Sequence, residues 1–371
     1  MTIETRKIKV EFTQTKSADY EINIENGILA KTGEMLNSLV STRKNMKNVN
    51  TLAIITDENV SALYEKTVAE SLVNAGFNVI SFVIAAGEKS KSAAQYFALQ
   101  NWLAENQITR SDALIALGGG VVGDLTGFTA ATHLRGVPFV QIPTTLLAMV
   151  DSSVGGKTGI DIPAGKNLVG AFYQPSAVLC DPQTLQTLPP QVLSDGAAEV
   201  IKHGMIRSRE LLQTLADAPI QENPTNANVI FGQSQIIEMN VKVKRDIVQK
   251  DEFDTGERQL LNFGHTIGHA IEKLSNFEVS HGSAVAIGMR IITRAAVKRG
   301  VCPPECLSVL EALLAKFNLP GETKFTPKAL HAAALTDKKR MGDTITEVIP
   351  TAIGNCELKK MTIDELLGWL G

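Results

Sequence analysis

Cysteine is scarce in this chain, with four residues in 371, and the four (Cys180, Cys302, Cys306 and Cys356) lie far apart or without a second pair. That excludes a disulfide scaffold, and Cys302 with Cys306, flanking two prolines, make a poor zinc ribbon. Neither sign of charge is in excess: 36 Lys and Arg face 39 Asp and Glu, a net of -3. With no polyanion-binding bias, nucleic acid is set aside as a partner. No apolar run reaches the length of about 18 residues that a membrane-spanning helix needs. The opening "MTIETRKIKVEF" does not read as a signal peptide. Repeats and low-complexity tracts are also missing. The expectation is a reduced, cytoplasmic protein with no membrane partner.

A chain of 371 residues has length for two domains with real cores. Its first half alternates short β-branched runs with helical patterns: "TLAIIT" 51–56, "NVISFVI" 78–84, "ALIAL" 113–117 and "PFVQI" 138–142. Strand, helix, strand, helix predicts a mostly parallel sheet with helices on both faces. "STRKNMKNVN" 41–50 reads as a surface loop. The second half reads almost wholly helical, and Pro189 with Pro190 mark the boundary. The predicted division is an α/β domain over 1–189 and a helical domain over 190–371.

"ALIALGGGVVGDLTGF" is a buried strand, three glycines and a helix start. Gly118, Gly120 and Gly123 fit G-x-G-x-x-G in the strand-to-helix context that lets backbone N–H groups reach a pyrophosphate. A turn needed only for packing is the plainer alternative. "AGEKSKS" 86–92 and "IPTTLLAMVDSS" 142–153 follow two of the strands, at the edge where open α/β sheets take ligands. There Thr144 and Thr145 contact a nucleotide or merely cap a helix. "GGKTG" lacks the earlier glycine of a P-loop, so an NTPase is rejected. Lys157 and Lys166 on glycine-linked segments still suit a phosphate or carboxylate ligand, against the alternative of solvated loop lysines.

Three of the six histidines fall in "NFGHTIGHAIEKLSNFEVSHG", 262–282. On a helix, steps of three and four residues stack on one face. Arg258, Asn262, His265 and His269 would then share one polar stripe of a single amphipathic helix. Phe263, Ile267, Ala270, Ile271 and Leu274 would face the core, and Gly264 and Gly268 would admit a second backbone. Solvated stripes usually carry Lys, Glu and Gln, so this one is a candidate site. In "SDGAAEVIKHGMI", Glu199 and Lys202 taken alone read as an exposed ion pair. Beside two histidines, Glu199 would complete a three-ligand zinc set with an open position, the catalytic pattern. Spacing alone selects His265 and His269. "HTIGH" lacks the glutamate of H-E-x-x-H, which disfavours a zinc protease.

The motifs "GGGVVGDLTGF", "LRGVPFVQIPTTLLAMVDSSVGGKTG", "GKNLVGAFYQP", "AAEVIKHG", "LLNFGHTIGHAIE" and "HGSAVAIGM" occur in this order. Together they resemble the 3-dehydroquinate synthase family of sugar phosphate cyclases, from the first central strand to the C-terminus. The resemblance implies a Rossmann-like nucleotide-binding α/β domain, then a helical metal-binding domain, in a homodimer. It implies Glu199, His265 and His281 as ligands of zinc or cobalt, replacing the choice made from spacing, with His269 a substrate contact. For NAD it implies Asp57, Asn59, Glu88, Lys91, the glycine loop (Gly119, Gly120, Val121, Val122, Gly123, Asp124), Thr144, Thr145, Lys157, Lys166 and the run Thr184, Leu185, Gln186 and Thr187. For substrate it implies Asp151, Lys157, Lys166, Asn167, Lys202, Lys244, Arg258, Asn262 and one lysine of "DKK" (Lys338 or Lys339, with Lys339 preferred). Arg135 would reach the neighbouring subunit's substrate phosphate. The implied reaction converts 3-deoxy-D-arabino-heptulosonate 7-phosphate to 3-dehydroquinate. In it NAD⁺ transiently oxidises a ring alcohol whose oxygen zinc polarises; phosphate leaves, the ketone is reduced again, and an intramolecular aldol step closes the ring. Two anionic groups on one small molecule would account for so many cationic residues. A polyol dehydrogenase would share the two-domain plan without needing them. Cyclases of antibiotic and cyclitol pathways depart at Arg258, Leu261, Asn262 and the "DKK" lysine, all kept here.

Overall fold

The computed structural model describes residues 19–218, 230–334 and 344–371. Its main sheet is six-stranded and parallel throughout, built from β1 (Glu21–Ile24), β2 (Thr51–Asp57), β3 (Asn78–Ile84), β4 (Ala113–Gly118), β5 (Phe139–Pro143) and β8 (Ala177–Cys180), in the order β1-β8-β5-β4-β2-β3. Strands β2, β3, β4 and β5 fall where the β-branched runs predict them. The strands β1 and β8 were not expected. Alternate residues serve opposite faces: Leu52, Ile54, Ile115 and Leu117 pack in one core, and Ala53, Ile55, Leu114 and Ala116 in another. Helices α1 (Thr32–Thr42) and α2 (Lys66–Asn74) cover the first face, α3 (Ala93–Glu105) and α4 (Gly120–Thr132) the second. From β2 the chain turns outward to β3 and returns on the other side as β4. The strand order therefore reverses between β2 and β4, which opens a crevice at their carboxyl ends.

The segment expected to be glycine-linked loops is an antiparallel ribbon, β6 (Lys157–Ile162) and β7 (Gly165–Phe172), separate from the main sheet. Its glycines serve close approach rather than slack. A Cβ on Gly170 would lie 2.1 Å from the Thr158 carbonyl oxygen, and one on Gly127 of α4 would lie 2.4 Å from Thr158 Cγ2. The 41–50 segment is also more ordered than a surface loop, with α1 reaching Thr42, a short 3-10 turn at Lys44–Met46, and Met46 and Val49 buried.

Helix α5 (Pro190–Arg207) opens the helical half, followed by α6 (Arg209–Asp217), α7 (Ser234–Lys250), α8 (His265–Leu274), α9 (His281–Lys298), α10 (Glu305–Lys316), α11 (Pro327–Ala334) and α12 (Ile363–Leu370). The expectation of an almost wholly helical half misses the hairpin of β9 (Thr344–Ala352) and β10 (Asn355–Thr362). The core of this half takes in Leu146, Val150, Val178 and Leu185 from the chain before Pro189. No helix among the described residues is long and apolar enough to cross a membrane.

Candidate active site

The single helix expected from Arg258 to Leu274 is two pieces. A 3-10 segment, Glu257–Asn262, ends at Phe263, whose backbone is extended, and α8 begins at His265 after Gly264 at φ 77°. A Cβ on Gly264 would lie 2.7 Å from the Val285 carbonyl oxygen, so α9 approaches too closely for any side chain there. Gly268 likewise faces the backbone of Val285. Both glycines thus admit a second backbone, as their positions predict. Phe263, Ile267, Ala270 and Ile271 are buried as expected. The histidines share α8, while Arg258 and Asn262 arrive on the preceding segment.

Glu199, in the middle of α5, is fully buried, as is Lys202, whose ammonium donates to Glu199 Oε2. The exposed ion pair read from spacing is therefore an interior one. Glu199 Oε1 has no hydrogen-bond partner. Instead, Nε2 of His265 and Nε2 of His281 each stand 3.6 Å from it. Nδ1 of His265 lies 3.1 Å from the Phe263 carbonyl oxygen, an acceptor that puts the proton on Nδ1 and leaves the Nε2 lone pair facing Glu199. Donors bound about 2.0–2.1 Å from a tetrahedral zinc lie about 3.3–3.4 Å apart, close to the spacing found. An orphaned buried carboxylate oxygen with two imidazole nitrogens fits a divalent cation. Two other groups have similar spacing, Asp151 with Glu199 and His203, and His269 with Glu272 and His281. In the first, Asp151 is engaged by Lys202 and Lys244; in the second, Glu272 is engaged by Lys166. His269 thus stands beside His281 without joining Glu199, so the pairing of His265 with His269 chosen from spacing is not the one the fold assembles around that carboxylate.

Around this centre the cations converge. Asp151, on a π-turn at Ala148–Ser152, accepts from Lys202 at 3.5 Å and from Lys244 of α7. Burial opposes its charge, but Lys202 and Lys244 hold its carboxyl well below the usual carboxylate range. Burial pushes Lys244 down to about 8, a fall that Asp151 partly offsets. The Arg258 side chain is 1% exposed; it donates to the Glu252 carbonyl and, at 2.9 Å, to the Gly155 carbonyl, leaving Nε without a partner. Lys157 pairs with Asp254, and Lys166 with Glu272 at 3.2 Å. Asn167 stands in a bulge of β7 at φ 54°, its N–H donating to Asp161 at 2.8 Å. That bulge aims Lys166 and Asn167 at different partners.

At the sheet's crevice, Asp57 ends β2 and accepts from the N–H groups of Asn59 and Val60. Gly119 precedes α4, whose first turn is Gly120, Val121, Val122 and Gly123. A Cβ on Gly119 would lie 3.1 Å from Thr145 and one on Gly123 2.9 Å from Gln141 Oε1, so close packing calls for glycine at both. Thr145 Oγ1 accepts from the Ala148 N–H at 3.2 Å, a cap, whereas Thr144 Oγ1 is buried without a partner. Lys91, nearly buried, donates to Asp124 and to Asn167; burial opposes its charge, but Asp124 and Glu88 hold its pKa above the ordinary value. Thr184–Thr187 lie in a 3-10 turn beside Tyr64, whose hydroxyl is 2.6 Å from Thr187 Oγ1. Lys338 and Lys339 lie outside the described residues. Arg135 is exposed in a turn at φ 67°, in the α/β half. The sequence reading missed Glu272, Asp254 and His203. The first two pair with lysines 106 and 97 residues away, which no local pattern signals.

Models of the 3-dehydroquinate synthase N-terminal and C-terminal regions match residues 81–195 and 196–340. The 3-dehydroquinate synthase of Streptococcus suis is 44% identical over 353 residues, spanning 95% of this chain and 96% of that protein. That of Enterococcus faecalis is 42% identical over 353 residues, spanning 95% of each. Among solved structures, 2-epi-5-epi-valiolone synthase from Streptomyces hygroscopicus, with NAD⁺ and Zn²⁺ bound, superposes with a TM-score of 0.82 at 24% identity, over 97% of this chain and 98% of that one. A 2-deoxy-scyllo-inosose synthase complexed with carbaglucose-6-phosphate, NAD⁺ and Co²⁺ gives 0.78 at 24% identity, over 94% and 95%. An NADH-dependent butanol dehydrogenase from Thermotoga maritima shares the fold at 0.64 and 13% identity. By the family models and by its full-length relatives alike, this chain belongs to the 3-dehydroquinate synthase family.

Proposed function

We propose that the chain converts 3-deoxy-D-arabino-heptulosonate 7-phosphate to 3-dehydroquinate and inorganic phosphate, as a carbon–oxygen lyase acting on a phosphate ester. The observation that carries this reading is the network that joins Lys166, Lys202 and Lys244, through Glu272 and Asp151, to the Glu199, His265 and His281 donors, with Lys157 and Arg258 near enough to interact with the Asp151 charge. When bound, NAD supplies reversible oxidation of a substrate alcohol, and zinc or cobalt supplies polarisation of its oxygen. Glu199, His265 and His281 hold the metal. Asp57, Asn59, Glu88, Lys91, the glycine turn through Asp124, Thr144, Thr145 and Thr184–Thr187 hold the nucleotide at the reversal of strand order.

The rest of the site recognises two anions on one substrate. Arg258, its guanidinium fixed by two backbone carbonyls, takes the carboxylate, for which a planar fork is suited. Lys157, Lys166 and Lys244 surround the phosphate ester, with Asn167 and Asn262 donating beside them, and they stabilise the phosphate dianion as its C–O bond breaks. Lys202 keeps Glu199 and Asp151 ionised. His269 contacts the substrate next to the metal ligands, and Lys339 or Lys338 completes the anion contacts. The proposal includes a division at residue 190, a cytoplasmic location in keeping with four unpaired thiols, and a homodimer in which exposed Arg135 reaches the partner's site.

A polyol-type dehydrogenase is the second reading, favoured only by the shared fold of alcohol dehydrogenases. One assay separates them. Purified protein with zinc, a trace of NAD⁺ and the seven-carbon phosphate should release phosphate over many turnovers per cofactor, with no matching growth of NADH absorbance. NADH accumulating mole for mole with product, without phosphate release, would sink the synthase reading.

A further inference from the structure

Glu272 is neither a proposed metal ligand nor a proposed substrate contact, yet it touches one of each. It lies on α8 and is 4% exposed. Its Oε1 accepts from the Lys166 ammonium at 3.2 Å, and its Oε2 stands 3.5 Å from Nδ1 of His281. Lys166 comes from the ribbon of the α/β half and His281 from the first turn of α9. One buried carboxylate therefore joins the metal centre to the anion site.

We infer that Glu272 is a positioning residue that fixes the ligating tautomer of His281 and couples metal affinity to occupancy of the anion site at Lys166. A histidine ligates through Nε2 when Nδ1 carries the proton, and an acceptor at Nδ1 selects that tautomer. For His265 this acceptor is the Phe263 carbonyl, neutral backbone that no ligand competes for. For His281 it is a carboxylate whose charge is shared with an ammonium. A phosphate that draws Lys166 to itself leaves Glu272 to His281 alone, and the imidazole becomes a stronger donor. Linkage makes the effect mutual: bound metal then tightens the phosphate site by the same factor. The inference rests on the metal site proposed above.

The test is zinc affinity of the metal-free, full-length protein, measured by competition with a chromophoric chelator, with and without inorganic phosphate. Phosphate should tighten zinc binding to the parent protein. Glu272→Gln should weaken zinc binding about ten- to a hundredfold and lose most of the phosphate effect. Lys166→Met, which frees Glu272 for His281, should bind zinc more tightly than the phosphate-free parent and lose the phosphate effect, which secures the test should the Glu272 variant fail to fold. Zinc affinity within twofold of the parent in Glu272→Gln, absence of any phosphate effect in the parent, or a full effect in either variant would overturn the inference. His281→Ala separates the two readings. If it binds zinc like the parent, the metal site itself is wrong; if it loses zinc while Glu272→Gln does not, only the role of Glu272 falls.

Discussion

Two polar networks, one built on buried Lys91 and the other on buried Lys202 and Glu199, are finished to different degrees. In the α/β half, the Lys91 ammonium meets Asp124 and Asn167, and Asn167 in turn meets Asp161. In the second network Lys202, Lys244 and Glu199 of the helical half are linked with Asp151, but Glu199 Oε1 and Arg258 Nε stay buried with no hydrogen-bond partner. A satisfied network rigidifies its surroundings, whereas an unsatisfied one costs stability that a ligand can return. The first network holds shape. The second is shaped for something to be added.

Breaking the second network should cost activity before it costs stability. Glu199→Gln should lower turnover by about a thousandfold or more, the scale of losing a metal's charge stabilisation, while Lys202, still paired with Asp151, limits the loss of stability in the metal-free protein. Retained turnover would remove Glu199 from the ligands. Breaking the first network should cost stability together with cofactor binding. Lys91→Met leaves the largely covered Asp124 without its counter-ion, a loss of up to about 3 kcal/mol in stability, read as a lower denaturant midpoint. Should Lys91→Met instead leave stability intact and abolish NAD binding alone, the contrast between the networks fails.

A finer probe is Arg258→Lys, which keeps the charge and loses the fork. It should weaken substrate binding about ten- to a hundredfold, with NAD affinity unchanged by isothermal titration. Equal binding of an analogue without the carboxylate would end that assignment. The smallest effect concerns pH. Lys244 sits near 8, below the 10.5 usual for lysine, so its charge is lost as pH rises through about 8. Binding of phosphate-bearing ligands should weaken above that point. The fold should not, because between 8 and 10.5 the unfolded chain holds more protons on this group than the folded one, so its contribution to stability rises with pH. Phosphate affinity flat from pH 7 to 9 would take Lys244 out of the anion site.

The two halves also differ in how far the sequence foretells them. Strands β2 to β5 are legible because five to seven β-branched and apolar residues stand between helical periods. Strands β1 and β8 are four residues each, too short to carry a period. The ribbon hides behind glycines that mark close backbone approach as often as they mark loops. At Gly264, spacing misleads outright: steps of four and three survive on paper, while the chain turns through a left-handed residue. The metal group shows the same limit. His265 and His269 are adjacent by helical spacing, whereas the fold brings His281 to Glu199 from a different helix; it was family motifs rather than periodicity that pointed there.

The ribbon between Lys157 and Phe172 behaves as a ruler. Lys157 is tied to Asp254, Lys166 to Glu272 and Asn167 to Lys91, so three marks along it are read by both halves of the molecule. Side chains alternate along a strand, and one residue added or removed between the marks would turn Lys166 and Asn167 to the wrong faces. Over evolutionary time such a segment can exchange Leu168 or Val169, which face solvent, but it cannot change length. Descendants of this chain would accumulate insertions in their connecting loops while the interval from Lys157 to Lys166 stayed fixed.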